Sequence, residues 1–238
     1  MQALARHSNP SSSGGVSDFV LETLLRIGKD TSQPLWIIGN SSSVLVHDLD
    51  KIPNEHVRLV LNRFHLSYGL HSLREDFCLS ADPHTIKFFG REIEKQTSGQ
   101  ALFFGKGAMR RHQVNFFPLA TSGNDTFDLI GNKKMNPFGS SLVAAFQLGL
   151  HLGFRQIYLY GVDFDFADRG LDANGQLRHG GDNHFIPDYR GGRPWMSPDW
   201  WRIEQGLLAS ALASAALGVE VLNFTPQHKL KIFSQGNF

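Results

Sequence analysis

Short, continuous runs of apolar residues recur along the chain from Pro34 onward and are separated by longer segments of mixed or helical pattern. Strands of a parallel sheet covered on both faces have this appearance, because both sides of each strand are buried. The pattern therefore predicts an α/β fold with a mostly parallel sheet and helices on both faces. The predicted strands lie in the runs LWIIGN, VRLVLNRF, FCLSAD, QALFFG, QIYLYGVDF and VEVLNF.

Other segments carry the signals of helix ends, namely a capping hydroxyl at the start or a glycine at the stop. They run from Ser17 to Gly28, from about Ser140 to Gly153, and from Ser197 to just before Gly218. In the last, a proline follows the capping serine in the first turn, and the Ala-rich middle should pack closely on the sheet.

Polar residues directly follow several of the predicted strands. Ligands of open parallel sheets bind beyond the carboxyl ends of the strands, so side chains that arrive at this edge should line one cleft. Asn and Asp are also common turn formers, and for any one of them that role is the simpler interpretation. The set as a whole predicts a site at this edge. Its members are Gly39 with Asn40, Asn62, Asp82, Asp163 and Asn223.

The size and composition of the chain fit one domain. It has 238 residues, of which 41% are hydrophobic and 19% charged, enough for one substantial core. The 23 Lys and Arg residues nearly balance the 22 Asp and Glu residues, and the net charge of +1 gives no reason to expect a nucleic-acid partner. A lone cysteine, Cys78, suits a reducing compartment, and we expect it to be a buried small hydrophobe.

The two ends of the chain differ from its middle. Residues 1–16 are rich in Ser, Asn and Gly and are expected to be a flexible leader before a domain at 17–238. No apolar run resembles a membrane span or a signal peptide, so a cytoplasmic location is expected. The stretch from Lys229 to Phe238 is either a surface element or a point of peripheral contact with the inner membrane face. The sequence has no periodic pattern that indicates an oligomer interface, so a homo-oligomer is neither predicted nor excluded.

The loop Gly39-Asn40-Ser41-Ser42-Ser43 follows the first predicted strand. Its glycine permits close backbone approach, and successive backbone N–H groups with small hydroxyls can bind an anion or a nucleotide. Because GxGxxG and GK[ST] are both missing, the loop is neither a dinucleotide fingerprint nor a P-loop. A capped turn without a ligand is an equal alternative.

Asp163 and Asp165 form a DxD pattern after the strand IYLYG. Carboxylates at this spacing can jointly hold a divalent cation on a substrate diphosphate, although Asp163 can equally fix the loop by accepting backbone N–H groups. A metal site is therefore an open but not a favoured interpretation, and we expect no required cofactor. Other histidines, such as His47, His65 and His71, show no metal-ligand spacing and are expected to be solvated or hydrogen-bonded surface residues.

The stretch from Arg169 to Pro198 is long, polar and rich in glycine. A connection of this length in a compact domain is typical of a mobile lid or substrate loop, here about 166–197, and an irregular surface loop anchored by aromatic residues is the alternative. Its candidate bases, orienting carboxylates, phosphate-binding arginines and aromatic faces are His179, His184, Asp182, Asp188, Arg178, Arg190, Arg193, Trp195, Trp200 and Trp201.

Several pieces of the chain, taken in order, resemble the bacterial sialyltransferases that use CMP-sialic acid, glycosyltransferase family 42, and a related domain of motility accessory factors. They span from Leu35 to the C-terminus and are IIGNSSSV, LVLNRF, SADPH, GSSLVAAFQLGLHLGFRQIYLYGVDF, DNHFIPDY and VLNFTPQHKL. The resemblance implies a single Rossmann-like domain with a lid-like insertion. It also implies transfer of a sugar from a CMP-activated donor to a glycan acceptor, in surface polysaccharide or lipooligosaccharide synthesis.

The resemblance assigns roles to the positions that match. It places the donor nucleotide and its sugar near Gly39, Asn40, Ser41, Asn62, Asp82, Ser140, Ser141 and Gly161. Ser42, in the loop after the first predicted strand, and Asp163, in the loop after the strand IYLYG, are further candidates for donor contacts. His184 and Phe185 match a His-Tyr pair of the family.

Two departures from the family pattern change the expected chemistry. Asp188 stands where the sialyltransferases carry their general-base histidine, and the tyrosines that hold the leaving phosphate are replaced. His184 or Asp188 is therefore the candidate base, and Arg190 or Arg193 the candidate phosphate ligand. Another CMP-linked nonulosonic or ulosonic acid is at least as suitable a donor as sialic acid.

Two other functions remain as alternatives. One is a magnesium-dependent nucleotide pyrophosphokinase acting on a pterin-like substrate, in which Asp163 and Asp165 would hold the metal. The other is a nonenzymatic sugar- or nucleotide-binding module, a degenerate transferase that has lost its base.

Overall fold

The computed structural model describes residues 15–105, 115–118, 135–164, 183–193, 198–226 and 228–238. Within these residues one sheet forms the centre of the fold. Its strands are β1 (Leu35–Ile38), β2 (Val57–Leu61), β3 (Phe77–Ser80), β4 (Gln100–Gly105), β5 (Phe116–Pro118), β6 (Gln156–Tyr160), β7 (Glu220–Asn223) and β8 (Ser234–Gln235). The helices are α1 (Val16–Arg26), α2 (Val46–Leu49), α3 (Pro83–Gln96), α4 (Ser141–Leu152) and α5 (Trp200–Ala216), with a short 3₁₀ helix at Phe64–Ser67.

The strands are all parallel and lie in the order β5-β4-β3-β2-β1-β6-β7-β8. The chain builds outward from β1 to β5 and then returns to place β6 on the other side of β1. Where the order reverses, between β1 and β6, open α/β sheets leave a crevice for ligands beyond the carboxyl ends of the strands. The predicted α/β fold with a parallel, Rossmann-like sheet is confirmed, and each predicted run contains one of these strands.

Helices cover both faces of the sheet, as predicted. Because successive side chains of a strand point to opposite faces, β1 contributes to two cores. Leu35 and Ile37 pack with residues of α1, α4 and α5, whereas Trp36 and Ile38 pack with residues of α2 and α3. Burial on both faces explains why the strands appear in the sequence as continuous apolar runs.

The starts of two helices differ from the prediction. Ser17 is not the cap of α1 but lies buried inside it, and the N–H of Gly15 donates to the Asp18 carboxylate at 3.1 Å. Likewise α5 is capped by Asp199, which accepts the N–H of Arg202 at 3.1 Å. In both cases a carboxylate binds a backbone N–H that has no partner within the helix, and such charge-assisted bonds are stronger than those of a hydroxyl.

The predicted stops are confirmed. Gly28 follows α1 with φ of +73°, and Gly153 follows α4 with φ of +88°. Both lie in the left-handed region that glycine adopts without strain. The described fold begins at Gly15, and the rest of the proposed leader lies outside the described residues.

The C-terminal stretch from Lys229 to Phe238 contributes to the core. Leu230 and Phe233 are buried, and the Phe233 ring stacks on Phe146 with a centroid separation of 5.2 Å. Phe238 is 47% exposed but stacks on Trp36. These contacts bury part of the apolar surface of the stretch, and peripheral membrane contact stays a prediction. Across the described residues, no helix has the length and apolar character required to cross a membrane.

Candidate active site

The first loop and the loop after β6 touch backbone to backbone at the switch point. The N–H of Gly39 donates to the carbonyl of Tyr160 at 2.7 Å, and the N–H of Ser41 donates to that of Gly161 at 3.2 Å. A Cβ on Gly39 would lie 2.3 Å from the Gly161 oxygen, and a Cβ on Gly161, whose φ is +68°, would lie 2.7 Å from the Gly39 oxygen. The close backbone approach predicted for these glycines is therefore made by the chain itself.

Asn40 follows at the carboxyl end of β1 and is only 8% exposed. Its Nδ2 donates to the carbonyl of Leu61 at 2.7 Å and to the hydroxyl of Tyr189 at 3.3 Å. Because a carbonyl can only accept, the first bond identifies the nitrogen end of the amide. Oδ1 is buried and has no hydrogen-bond partner among the described residues. An unsatisfied buried acceptor costs about 1–3 kcal/mol, so this atom is a candidate to accept an N–H or O–H group of a ligand.

Asn62 ends β2 with φ of +54°, a conformation that Asn tolerates better than most residues. Its Oδ1 accepts from the hydroxyls of Ser80 at 2.9 Å and Ser141 at 3.0 Å, and its carbonyl accepts from the buried thiol of Cys78. Nδ2 of Asn62 is therefore the end of the amide that can donate to a ligand. Ser141 is buried and also accepts the N–H of Ala81, so it helps to hold Asn62 in place.

Residues 183–193, part of the predicted lid, lie on the carboxyl ends of β1 and β2; we call them the docked segment. Ser41 and His184 form an antiparallel bridge, and the N–H of Phe185 donates to the carbonyl of Asn40 at 3.2 Å. Tyr189 is buried beside Asn40. The segment therefore brings His184 to the first loop. The lid candidates Arg178, His179, Asp182 and Trp195 lie outside the described residues.

The surroundings of His184 favour the neutral form of its imidazole ring. Its ring stacks on Tyr189 with centroids 3.9 Å apart and planes 8° from parallel. Burial, and after it the charge of Arg190, lower the pKa of His184 from 6.5 to about 4. The ring is therefore unprotonated at neutral pH. A negative ligand group beside Arg190 would offset its charge and raise this pKa towards the working pH, where a general base is most effective.

Two other candidate residues of the docked segment, Asp188 and Arg193, have different surroundings. Asp188 is exposed, has φ of +49°, and its carbonyl accepts the N–H of Gly191 at 2.8 Å, so it belongs to a tight turn. Arg193 is exposed, and its guanidinium lies 5.3 Å from the centre of the Phe88 ring on α3. Neither has the buried setting of His184.

For several predicted residues the turn or cap interpretation is the one the structure shows. Asp82 caps α3 by accepting the N–H of His84 at 2.9 Å and the hydroxyl of Thr85 at 2.6 Å. Ser140 caps α4, and Ser42 is exposed. Asn223 is fully buried and uses both ends of its amide on the backbone of Val162 and Thr225. These side chains therefore hold caps or loops in place, and their contacts with a donor stay a prediction.

Of the two aspartates in the DxD pattern, only Asp163 lies among the described residues. Asp163 is 5% exposed, and its carbonyl accepts the N–H of Lys229 at 2.8 Å. Asp165 lies outside the described residues. In the part of the chain that the structure describes, no three His, Cys, Asp or Glu side chains come together as a metal site.

The sequence analysis missed a set of buried polar residues beside the docked segment. Arg63 is 6% exposed and pairs with Glu92 of α3 at 2.8 Å. His65 lies 2.8 Å from the same carboxylate, and His71 bonds the hydroxyl of Ser67 at 2.7 Å. Both histidines are buried, so the expectation that they lie on the surface is wrong. Arg63 is the second residue after β2, next to Asn62, so a rule extended by one residue could have found it.

The carboxyl edge thus combines a buried acceptor without a partner, an amide donor, a neutral imidazole and a nearby arginine. Such a set can hold a polar ligand that carries N–H or O–H donors and a negative charge. It can also take a proton from a bound hydroxyl.

Comparison with known proteins adds evidence on the fold. No protein-family model matches the chain, and no curated protein matches its sequence. The MAf glycosyltransferase of Magnetospirillum magneticum has a similar structure, with a TM-score of 0.51 and 14% identity over 88% of this chain. The chain spans about a third, 33%, of that protein.

Two sialyltransferases of Campylobacter jejuni are also among the similar structures. For the monofunctional α-2,3-sialyltransferase Cst-I the TM-score is 0.47, with 14% identity over 87% of this chain and 83% of that one. For CST-II in complex with a trisaccharide acceptor and CMP it is 0.48, with 13% identity over 87% and 89%. At these identities only the fold is shown, and the chain has a glycosyltransferase-like α/β fold of the kind found in the MAf glycosyltransferase.

Proposed function

We propose that the chain is a glycosyltransferase that moves a sugar from a CMP-activated donor to a glycan acceptor. The proposed donor sugar is sialic acid or a related ulosonic or nonulosonic acid, and the proposed setting is surface polysaccharide or lipooligosaccharide synthesis. One observation carries the proposal: the buried Asn40 oxygen without a partner lies at the switch point of the sheet, next to the segment that holds a neutral His184.

The proposed donor site uses both amides. The Asn40 oxygen would accept from an amine or hydroxyl of the nucleotide, and the Asn62 nitrogen would donate to one of its oxygens. Both amides are held in place, Asn40 by the carbonyl of Leu61 and Asn62 by two serine hydroxyls. Groups fixed before the ligand arrives lose little freedom on binding, which favours affinity.

In the proposed reaction the acceptor hydroxyl attacks the anomeric carbon of the donor while the bond from that carbon to the CMP phosphate oxygen breaks. His184 takes the hydroxyl proton, and Arg190, with Arg193 as a second candidate, stabilises charge on the departing phosphate. A donor bound beside Arg190 would also raise the pKa of His184 and make it a stronger base. Asp188 is the second candidate base, and it lies exposed in a tight turn.

The alternatives are less well supported by the described residues. A pyrophosphokinase would need a metal held by Asp163 and Asp165, of which only Asp163 lies among the described residues. A nonenzymatic binding module would need no base, and the neutral imidazole at the first loop favours an enzyme instead.

The test is release of CMP from CMP-sialic acid and from other CMP-linked ulosonic acids, with and without a mixture of glycan acceptors, in magnesium and in EDTA. We expect release in EDTA, faster with acceptor. Turnover only of ATP with magnesium would favour the pyrophosphokinase. Binding of CMP without turnover of any CMP-sugar, including slow hydrolysis, would leave the binding module.

A further inference from the structure

Arg63 contacts two parts of the fold with one side chain, the docked segment and α3. Its Nη1 donates to the carbonyl of Tyr189 in the docked segment. Its Nε and Nη2 donate to Oε1 of Glu92 at 3.1 and 2.8 Å. The guanidinium carbon lies 3.8 Å from the centre of the Phe89 ring on α3. Only a planar group with several donors can make these contacts together, so lysine would not replace it.

Tyr189 is held at both of its polar ends. The carbonyl is bound by the Arg63 side chain, and the hydroxyl accepts the N–H of Arg63 at 3.1 Å and Nδ2 of Asn40 at 3.3 Å. Its ring stacks on His184 at 3.9 Å. A shift of Tyr189 would therefore be passed directly to the imidazole and to the amide of Asn40.

Glu92 keeps Arg63 in place. Burial raises the pKa of Glu92, but hydrogen bonds from Arg63 and His65 outweigh burial and lower it overall, so the carboxylate is charged at neutral pH. The pair sits between α3 and the docked segment, with Arg63 buried and Glu92 partly exposed. Removal of one partner from such a pair leaves the other charge uncompensated.

We propose that Arg63 and Glu92 are positioning residues, which hold Tyr189 and through it fix the imidazole of His184 against the first loop. The effect on catalysis rests on the proposed function, whereas the effect on the position of His184 does not. Neither residue touches the reacting atoms. Their contribution is to keep the docked segment in the arrangement in which a base would act, and displacement of a catalytic group by about 1 Å can cost about a hundredfold in rate.

The test uses Glu92→Gln and Arg63→Lys, with Asp76→Asn as a matched control. Asp76 accepts from Lys29 in an ion pair at the opposite edge of the sheet, where the carboxylate is more deeply buried than that of Glu92. The position of His184 is followed by NMR titration of its ring in the free protein, assigned by its loss in His184→Asn. We expect its pKa, about 4 in the native protein, to rise towards 6.5 by about one unit in both variants as the ring gains water, and to stay unchanged in the control.

Activity provides the second readout. In Glu92→Gln, turnover of the CMP-sugar should fall by about tenfold to a hundredfold, and in Asp76→Asn it should match the native protein once both are assayed well below their melting temperatures. An unchanged titration of His184 in folded Glu92→Gln overturns the inference, even where Arg63→Lys fails to fold. A shifted titration with no CMP-sugar turnover in the native protein would uphold the positioning role and reject the proposed function.

Discussion

At the amino edge of the sheet Lys29 donates to both oxygens of Asp76, at 2.9 and 2.7 Å, whereas at the carboxyl edge the amide oxygen of Asn40 has no partner in the described part of the chain. The amino edge also pairs Arg58 with Asp76 and the indole N–H of Trp36 with His56. Most of these groups satisfy one another; the exception is Nε of Arg58, which lies 3.9 Å from the Asp76 carboxylate and has no hydrogen-bond partner among the described residues. The carboxyl edge holds amides and an imidazole in fixed positions without using all of their hydrogen-bonding capacity.

The paired groups of the amino edge contribute to stability, whereas the groups of the carboxyl edge are available for function. Groups paired within the chain stabilise the fold, and losing one partner costs free energy of unfolding. Groups held but unsatisfied cost stability in the empty protein and return it when a ligand binds. The comparison therefore predicts that matched changes at the two edges will affect different properties, and the following experiments test this in order of expected effect.

The largest effect is expected when the histidine of each edge is removed. His184→Ala should lower turnover of the CMP-sugar by about a hundredfold to ten-thousandfold, the usual contribution of a general base, and leave donor binding nearly intact. His56→Ala removes the partner of the Trp36 indole at the amino edge and should lower stability but not turnover. The measurement is kcat for both variants. Equal turnover in His184→Ala and the native protein would remove His184 from the role of base.

The second-largest effect is expected from alanine substitution at two glycines, Gly161 and Gly28, which both have a left-handed backbone conformation. Gly161→Ala should lower the free energy of unfolding by about 3 kcal/mol or more, because its Cβ would lie 2.7 Å from the backbone oxygen of Gly39. Gly28, at the amino edge, has nothing within 4 Å of the same position. Gly28→Ala should cost only the strain of the conformation, about 1 kcal/mol.

Urea denaturation of the two glycine variants provides the measurement. Equal losses would show that the backbone contact at the switch point is not what requires Gly161. A much larger loss in Gly161→Ala supports the tight packing of the two loops on which the geometry of the site depends.

The smallest effect is a pH dependence of stability. The pKa of His184 is lowered from 6.5 to about 4 on folding, so between these values the unfolded chain binds more protons. Its contribution is therefore fully present above pH 6.5 and is lost as the pH falls towards 4. With an allowance for partial exposure of the ring, the free energy of unfolding falls by about 2 kcal/mol over this range.

The difference in free energy of unfolding between the native protein and His184→Asn isolates this contribution from other titrating groups. It should change in favour of the variant as the pH falls from 7 to 4. A constant difference across this range would show that His184 has an ordinary pKa and is not shielded by the docked segment.

Much of the fold could be predicted because the central strands are buried on both faces and so appear as apolar runs. The edge strands β5 and β8 could not, since three and two residues carry no period. The helix α3 is also hard to assign, because Asp82 and Pro83 have the pattern of a strand-end turn as much as of a helix start. The predicted helix starts at Ser17 and Ser197 are wrong because nearby carboxylates act instead: Asp18 accepts the N–H of the N-cap residue Gly15, and Asp199 accepts that of Arg202 in the first turn.

The candidate site was only partly predictable. Strand-end position identified Asn40 and Asn62, but it could not show that Asn223 uses its amide within the chain. Nor could it show that Gly39 and Gly161 need each other. Tyr189 and Glu92 carry no local pattern, because their roles arise only when α3 and the docked segment meet at the end of β2.

The most direct test of a nucleotide site at the carboxyl edge is the melting temperature of the native protein and of Asn40→Ala with CMP, CDP, UDP, GDP, ADP and ATP, each with and without magnesium. Asn54→Ala serves as the amino-edge control, because Asn54 accepts from Arg58 there. CMP at a hundred times its Kd should stabilise the native protein by about 2.7 kcal/mol without metal. We expect the same rise in Asn54→Ala and little in Asn40→Ala. An equal rise in Asn40→Ala, or a response only to ATP with magnesium, would contradict the proposed site.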